Sequence, residues 1–201
     1  MLVTVVAAAG VVSLGIGLYI GIGDVSQPGT EPVVPATSGP TFPAVTVTVP
    51  SEVEDTLTVR DETGTLSIVV PDSWSDTSGG PWSRGTETVG IQVGASPDLD
   101  AWRTGWGTPG VFVGVTAELT LDDAFGDWGD SCRDDGEEPL AAAGFVGTIH
   151  RWIDCGPEGS TFLEGAAVAG SGELLVYQAV LLGDADAVWS KRVLDTLSYQ
   201  P

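Results

Sequence analysis

Cys132 and Cys155 carry the most specific chemistry in this sequence, because they are its only two thiols. Redox enzymes commonly place paired cysteines in a C-x-x-C arrangement, whereas these two lie far apart along the chain. Two cysteines in an exported domain most often form a disulfide. We therefore expect a structural Cys132–Cys155 disulfide; the alternative is a pair of buried free thiols in a cytosolic protein.

His150 is the single histidine, and it could serve as a general base or as a metal ligand. A histidine-dependent hydrolase also needs a presented nucleophile, and the sequence contains no G-x-S-x-G elbow. One histidine and two disulfide-bonded cysteines cannot complete a zinc site. We therefore predict no catalytic residue, no resident metal and no cofactor, and we expect His150 to be a partly exposed strand residue.

Acidic side chains are dense between positions 122 and 138, where Asp122, Asp123, Asp127, Asp130, Asp134, Asp135, Glu137 and Glu138 occur. Calcium is coordinated by about six to eight oxygens, which such a segment could supply. The spacing does not match the EF-hand loop, which needs acids at alternate positions, a central glycine and a final glutamate. We expect a solvated acidic loop, and a calcium-dependent carbohydrate-binding module stays the alternative.

Seven tryptophans are many for a domain of this size. Indole rings bury a large apolar area and stack on sugars or peptides, so tryptophans in loops can line a ligand pocket. Trp74, Trp102 and Trp106 lie in segments predicted to be loops or turns, and they are our candidate ligand-binding residues. The other interpretation is that these rings anchor loops to the core.

A strand predicted over residues 145–154 must position several of these groups. Successive side chains of a strand point to opposite faces, so Phe145, Ile149 and Cys155 share one face. His150 and Trp152 share the other face. The first set is the more apolar, so we expect it to face the core and to bring Cys155 to the interior.

Alternating apolar residues and turn signals predict the remaining elements. Strands are expected over residues 56–60, 66–70, 89–93, 111–115, 161–169 and 174–182. A short helix or turn capped by Ser96 or Asp98, a helix over 119–128, an acidic loop over 127–138 and a final helix over 184–197 complete the list. The final helix is expected to be capped by Asp184 and to bury Ala185, Trp189, Val193 and Leu197. This pattern indicates the α+β class, with an antiparallel β-sheet covered by helices.

The first 23 residues contain no charged side chain and are almost entirely apolar. A helix of this length spans roughly 34 Å, enough to cross a hydrocarbon core of about 30 Å. We expect residues 1–23 to be a transmembrane helix or signal anchor, and a cleaved signal peptide is the alternative. Residues 24–51, rich in Pro, Ser and Thr, predict a semi-rigid linker, and residues 52–201 predict one extracytoplasmic domain.

The chain carries 28 acidic and 7 basic side chains, a formal net charge of -21. A surface of this sign repels nucleic acid and anionic membrane surfaces. We therefore expect no nucleic-acid partner, and membrane association only through the apolar first segment.

Several segments resemble a known family, the extracytoplasmic domains of actinobacterial membrane proteins. Such domains also occur C-terminal to the transmembrane helix of serine/threonine protein kinases. The matching segments lie at Val59 to Asp61, Gly64 to Trp74, Ala95 to Trp102, Thr108 to Phe112, Cys132 and Gly147 to Gly156. The resemblance implies a PsbP-like α/β/α sandwich without known catalytic residues. No V-A-I-K, H-R-D or D-F-G segment is present, so kinase activity is not implied.

These observations predict a non-enzymatic, membrane-tethered sensor or interaction domain at the cell envelope. Its partner would be an envelope protein or a small ligand. An exported hydrolase or the calcium-dependent carbohydrate-binding module is the competing class.

Overall fold

Ten strands, two α-helices and one 3-10 turn make up the part of the chain that the computed structural model describes, residues 55–201. In chain order they are β1 Thr56–Arg60, β2 Leu66–Pro71, β3 Asp76–Arg84, β4 Glu87–Ser96, α1 Leu99–Thr104, β5 Gly110–Thr116, the 3-10 turn Leu121–Asp123, β6 Arg133–Ala142, β7 Phe145–Cys155, β8 Ser160–Ala169, β9 Leu174–Leu181, α2 Asp184–Thr196 and β10 Ser198–Tyr199.

Seven of the strands form one large sheet in the order β3-β4-β5-β9-β8-β7-β6, and every neighbouring pair is antiparallel. Strands β6 to β9 follow one another as a meander. This confirms the antiparallel meander predicted for residues 145–182, to which β6 adds a fourth strand. The acidic segment from Arg133 onward is therefore an edge strand, and the prediction of a loop there was wrong.

Edge strands expose unpaired backbone groups, and charged side chains protect such edges from pairing with another chain. Strand β6 has this character, because every residue from Arg133 to Pro139 is exposed. Arg151 of the neighbouring β7 offsets one of these acidic charges. Its Nε lies 3.1 Å from Oδ2 of Asp135.

One face of the large sheet is covered by a three-stranded antiparallel sheet, β1-β2-β10, and by α2; we call it the covered face. Alternation along each strand sends one set of apolar side chains into the space between the layers. Examples are Val113, Phe145 and Leu175 from the large sheet and Ile68 from the small one. This is the main hydrophobic core.

Helix α2 closes one side of that core. Trp189, Val193 and Leu197 are buried as predicted, whereas Ala185 is exposed. The N-cap is Gly183 and not Asp184, and it makes no side-chain capping hydrogen bond. The predicted cap was therefore wrong by one position.

The opposite face of the large sheet, which we call the open face, is covered by α1, by the loop at residues 105–109 and by residues 117–132. A helix predicted over residues 119–128 is absent, because only Leu121–Asp123 forms a 3-10 turn. Asp123 accepts hydrogen bonds from the Thr120 backbone N–H and hydroxyl, and Gly126 follows closely. These bonds belong to a capping box, which favours a helix start. Gly126, however, is a poor helix former, and its N–H donates to Glu164 Oε2 and not to a helical carbonyl, so the turn does not extend.

The described architecture confirms the coarse prediction of an α+β fold built mainly from antiparallel sheet. It differs from a sheet covered by helices on both faces, because a second sheet shares the covered face with α2. Among residues 55–201, no helix is long and apolar enough to cross a membrane. The expected anchor at 1–23 and linker at 24–51 lie outside the described residues.

Candidate ligand-binding site

Aromatic side chains cluster at one end of the open face. Phe162 of β8 and Val180 of β9 lie buried there, and Trp102, Trp106 and Trp128 pack against them. The three indoles come from α1 and from two segments without regular structure, so their positions depend on local contacts.

Trp102 is positioned by the cap of α1 and by a glycine beneath it. Asp98 Oδ1 accepts a hydrogen bond from Ala101 N at 2.9 Å, which makes Asp98 the N-cap, one of the two predicted candidates. Gly110 of β5 lies below the indole. A Cβ atom at that position would stand 2.8 Å from Trp102 Cδ1, so only glycine leaves the ring room.

Trp106 rests on the residue that follows the second cysteine. Gly156 has a φ of 62°, a left-handed conformation that side-chain-bearing residues rarely adopt. A Cβ atom on Gly156 would stand 2.5 Å from Trp106 Cδ1. Both the backbone conformation and the close approach of the ring therefore require glycine here.

Trp128 is held by a buried carboxylate that the sequence analysis missed. Glu164 of β8 is 2% exposed. Its Oε2 accepts hydrogen bonds from Trp128 Nε1 at 3.0 Å and from Gly126 N at 2.9 Å. Its Oε1 accepts one from Gln178 Nε2 at 3.2 Å. The available signal was a single charge inside the apolar run of residues 161–169.

Three of the aromatic rings stand nearly perpendicular to one another. The ring centroids of Trp106 and Trp128 are 5.6 Å apart with planes at 85°. Phe162 lies 5.4 Å from Trp106 at 68° and 5.1 Å from Trp128 at 70°. Edge-to-face contacts of this kind are favourable, and they form a concave corner of three π-systems.

A cavity of about 440 Å³ opens beside this corner, and we call it the aromatic cavity. Its lining includes Trp102, Arg103, Trp106, Trp128, Phe162 and Gln178. A second cavity of about 200 Å³ shares Trp102 and Arg103 with it and is lined further by Trp82, Gln92 and Phe112. The open face therefore carries two neighbouring concave sites with aromatic walls.

The three tryptophans chosen from the sequence do not lie together. Trp102 and Trp106 line the aromatic cavity, whereas Trp74 is 2% exposed and belongs to the main core on the covered face. Trp74 follows the Pro71–Asp72 strand end, and its backbone N–H donates to the Pro71 carbonyl at 3.0 Å. That turn directs the Trp74 ring into the main core, so a ligand on the open face does not contact Trp74.

The predicted disulfide between Cys132 and Cys155 is present and lies beside the aromatic cluster. Cys155 is fully buried, but it packs on the open face with Trp152 and not with Phe145 and Ile149. The prediction that these three residues share a face was wrong. Asp154 has a φ of 55°, and the strand register shifts between Trp152 and Cys155, so a bulge reverses the alternation.

His150 lies farther along the same face. Its ring stacks on Trp152 with centroids 4.2 Å apart, and its Nε2 is hydrogen-bonded to Asp134 Oδ1 at 2.9 Å. The hydrogen bond with His150, joined by one from the Gly136 N–H, holds the pKa of Asp134 below its usual value. These contacts hold the imidazole between a carboxylate and an indole.

The acidic residues weighed as calcium ligands are dispersed over a 3-10 turn, an irregular segment and the edge strand. Within residues 55–201, no group of three or more His, Cys, Asp or Glu side chains is placed to hold a metal ion.

No protein-family model matches this chain, and neither a curated protein nor a solved structure matches it significantly. The resemblance to the extracytoplasmic domains of actinobacterial membrane proteins therefore stays a prediction, and the site is interpreted from its own geometry.

Proposed function

We propose that this chain is a non-enzymatic extracytoplasmic domain, tethered through residues 1–23, that senses or binds a small ligand in the aromatic cavity. The observation that carries the proposal is the cavity itself, with two of the tryptophans chosen from the sequence in its wall. The finer fold assignment, a PsbP-like α/β/α sandwich in which the small sheet β1-β2-β10 lies beside α2 on one face, belongs to the same proposal.

Size and lining both support ligand binding. Small-molecule sites usually measure about 300–1,000 Å³ and combine apolar walls with a few polar groups. The aromatic cavity measures about 440 Å³ and offers Arg103, Ser131 and Gln178 among its aromatic rings. An interaction function needs such a concave apolar surface, whereas catalysis would also need a presented nucleophile or base at the cavity.

The disulfide supports placement outside the cytosol, because such bonds persist in oxidising compartments. The apolar segment at 1–23 and the proline-rich segment at 24–51 support tethering through a spacer.

The proposal is tested by blocking the cavity. Ser131 is exposed and lines the cavity, and the two hydrogen bonds that the structure gives it use its backbone. Ser131→Trp should therefore fill the cavity without emptying the core. The matched control is Ser73→Trp, because Ser73 is also exposed and lines neither cavity of the open face.

The full chain in phosphatidylglycerol nanodiscs would be screened against a small-molecule fragment library by ligand-observed NMR. We expect fragments that bind the wild type and Ser73→Trp but lose at least tenfold in affinity for Ser131→Trp. Fragments that bind all three proteins equally, or no binding to the wild type, would show that the cavity is not a ligand site.

A further inference from the structure

The charge of Glu164 is not matched by a cation within the described residues. Its three hydrogen-bond donors are a backbone amide, an indole and a side-chain amide, all of them neutral. None of the ion pairs formed within residues 55–201 includes Glu164. Both oxygens of the Glu164 carboxylate accept hydrogen bonds in this arrangement.

This buried charge lies directly behind the wall of the aromatic cavity. Two of its partners, Trp128 and Gln178, are lining residues of that cavity. A charge shielded from water acts over a longer distance than an exposed one, because the surrounding effective dielectric is lower. A carboxylate at this position contributes a negative potential to the cavity that surface counterions screen weakly.

The aromatic rings add to the same potential. The face of an indole or phenyl ring carries the negative lobe of its quadrupole, and tryptophan attracts cations most strongly. Trp106, Trp128 and Phe162 form a corner of three nearly perpendicular rings, and Trp102 contributes a further indole to the wall. This is the composition of an aromatic cage for cations.

Among residues 55–201, Arg103 is the only basic residue that lines this cavity. Its side chain is 49% exposed and its Nη1 lies 3.4 Å from Asp100 Oδ1, so it is partly neutralised at the rim. The other described residues that line the cavity are uncharged, and the carboxylate of Glu164 lies behind their wall. The chain's formal net charge of -21 also concentrates cations near its surface.

We propose that the aromatic cavity binds a small quaternary ammonium ligand, held by cation–π contacts with Trp102, Trp106 and Trp128 and by the field of Glu164. A quaternary ammonium carries positive charge without N–H donors, so it matches a wall of aromatic rings with few acceptors. A trimethylammonium head with a short polar tail fits within 440 Å³. This inference rests on the proposed ligand-binding function and names its ligand class.

The charge preference can be measured with an isosteric pair of probes. Choline and 3,3-dimethylbutan-1-ol have the same shape, but only choline is charged. Both would be titrated by calorimetry into the full chain in phosphatidylglycerol nanodiscs, whose lipid contains no quaternary ammonium. Ser131→Trp in the same nanodiscs measures binding outside the cavity, including binding of choline to the lipid.

We expect choline to bind the wild type at least tenfold more tightly than the alcohol, and Ser131→Trp to lose both. Glu164→Gln keeps the volume of the side chain and removes its charge. It should weaken choline binding several-fold and leave the affinity for the alcohol unchanged. A purely structural role for Glu164 would weaken both probes together.

Equal affinities of choline and the alcohol would overturn the cation inference and leave the cavity as a neutral-ligand site. Fragment binding to the cavity without choline binding would overturn the inference in the same way. The proposed function would be overturned only if no ligand, neither choline nor any fragment, bound in the aromatic cavity. The comparison of the two probes on the wild type decides the point even if Glu164→Gln does not fold.

Discussion

Glu164 joins three parts of the molecule through one carboxylate. It lies on β8, accepts from Gln178 on the neighbouring β9, and accepts from Gly126 and Trp128 in the irregular segment above the sheet. A buried polar group that keeps all its hydrogen bonds stabilises a defined arrangement, whereas one that loses them costs free energy. The position of Trp128, and thus the shape of the cavity, depends on these bonds.

Two substitutions at Glu164 separate its hydrogen bonding from its volume. In Glu164→Gln, the amide oxygen can face Gly126 and Trp128 while its NH₂ donates to Gln178 after a flip of that side chain. We expect its free energy of unfolding to lie within about 1 kcal/mol of the wild type. Glu164→Leu leaves buried donors unpaired and should cost roughly 3 kcal/mol. Urea unfolding checks this; equal losses in both variants would show that the donors do not need this acceptor.

At the scale of single residues, the sequence indicates which side chains are candidates for binding, but it does not show what surrounds each of them. Trp74 and Trp102 both follow turn signals, yet one ring enters the main core and the other lines the cavity. The difference depends on which face of the sheet each turn approaches, and that requires the strand order. The disulfide was predictable because only one pairing of two cysteines exists.

The segment between β5 and β6, residues 117–132, contains only one 3-10 turn and is otherwise irregular, and it carries Trp128. Besides the Glu164 bonds, it is attached by the Cys132–Cys155 disulfide and by a hydrogen bond from Gly156 N to Ser131 O at 3.0 Å. A further bond joins Arg84 Nη2 to Asp123 O at 2.9 Å. The conformation of residues 117–132 is therefore fixed by tertiary contacts and not by helix propensity.

Removing the disulfide should loosen this segment before the rest of the fold. The cysteines are separated by 23 positions, and closing a loop of that size contributes about 3 kcal/mol in the chain-entropy estimate. For Cys132→Ala combined with Cys155→Ala, we expect that loss in urea unfolding. Hydrogen exchange should quicken most in residues 126–132, with β9 of the same sample as the internal control. Uniform quickening in both regions would contradict a local role for the bond.

Elements were predictable where apolar residues were either periodic or continuous between turn signals. Strand β7 and helix α2 have periods of 2 and 3.6, β8 and β9 are nearly continuous apolar runs, and the structure contains each of them. Strand β3 was missed because its Ser-Gly-Gly-Pro sequence consists of residues depleted in strands. It pairs with β4 along its whole length, so tertiary pairing overrides the local preference.

On the scale of the whole molecule, the two faces of the large sheet differ in how they are covered. A second sheet and α2 seal the covered face, where the largest group of buried apolar residues lies. The open face carries smaller apolar clusters, the aromatic cavity and the second, smaller cavity beside it. Both faces of the central strands are apolar, so their alternation alone could not show which face would stay accessible.

Charge is the other property that belongs to the molecule as a whole. With 28 acidic and 7 basic side chains, most carboxylates have no cation to pair with, and their repulsion opposes the compact state. The ion pairs of the described residues that involve lysine or arginine are on exposed side chains and contribute little each. Screening should therefore weaken the repulsion more than it weakens the attraction.

We accordingly expect the melting temperature of the full chain to rise with salt at neutral pH. Between about 0.01 M and 1 M NaCl the Debye length falls from about 30 Å to about 3 Å, which suppresses repulsion among exposed carboxylates. Tryptophan fluorescence in a thermal ramp measures the change. At about pH 4, where many carboxylates are protonated, the same salt series should shift the melting temperature much less. A melting temperature that falls with salt at neutral pH would mean that attraction within the few ion pairs outweighs repulsion among the carboxylates. An equal rise at both pH values would mean that salt stabilises the fold by a mechanism other than charge screening.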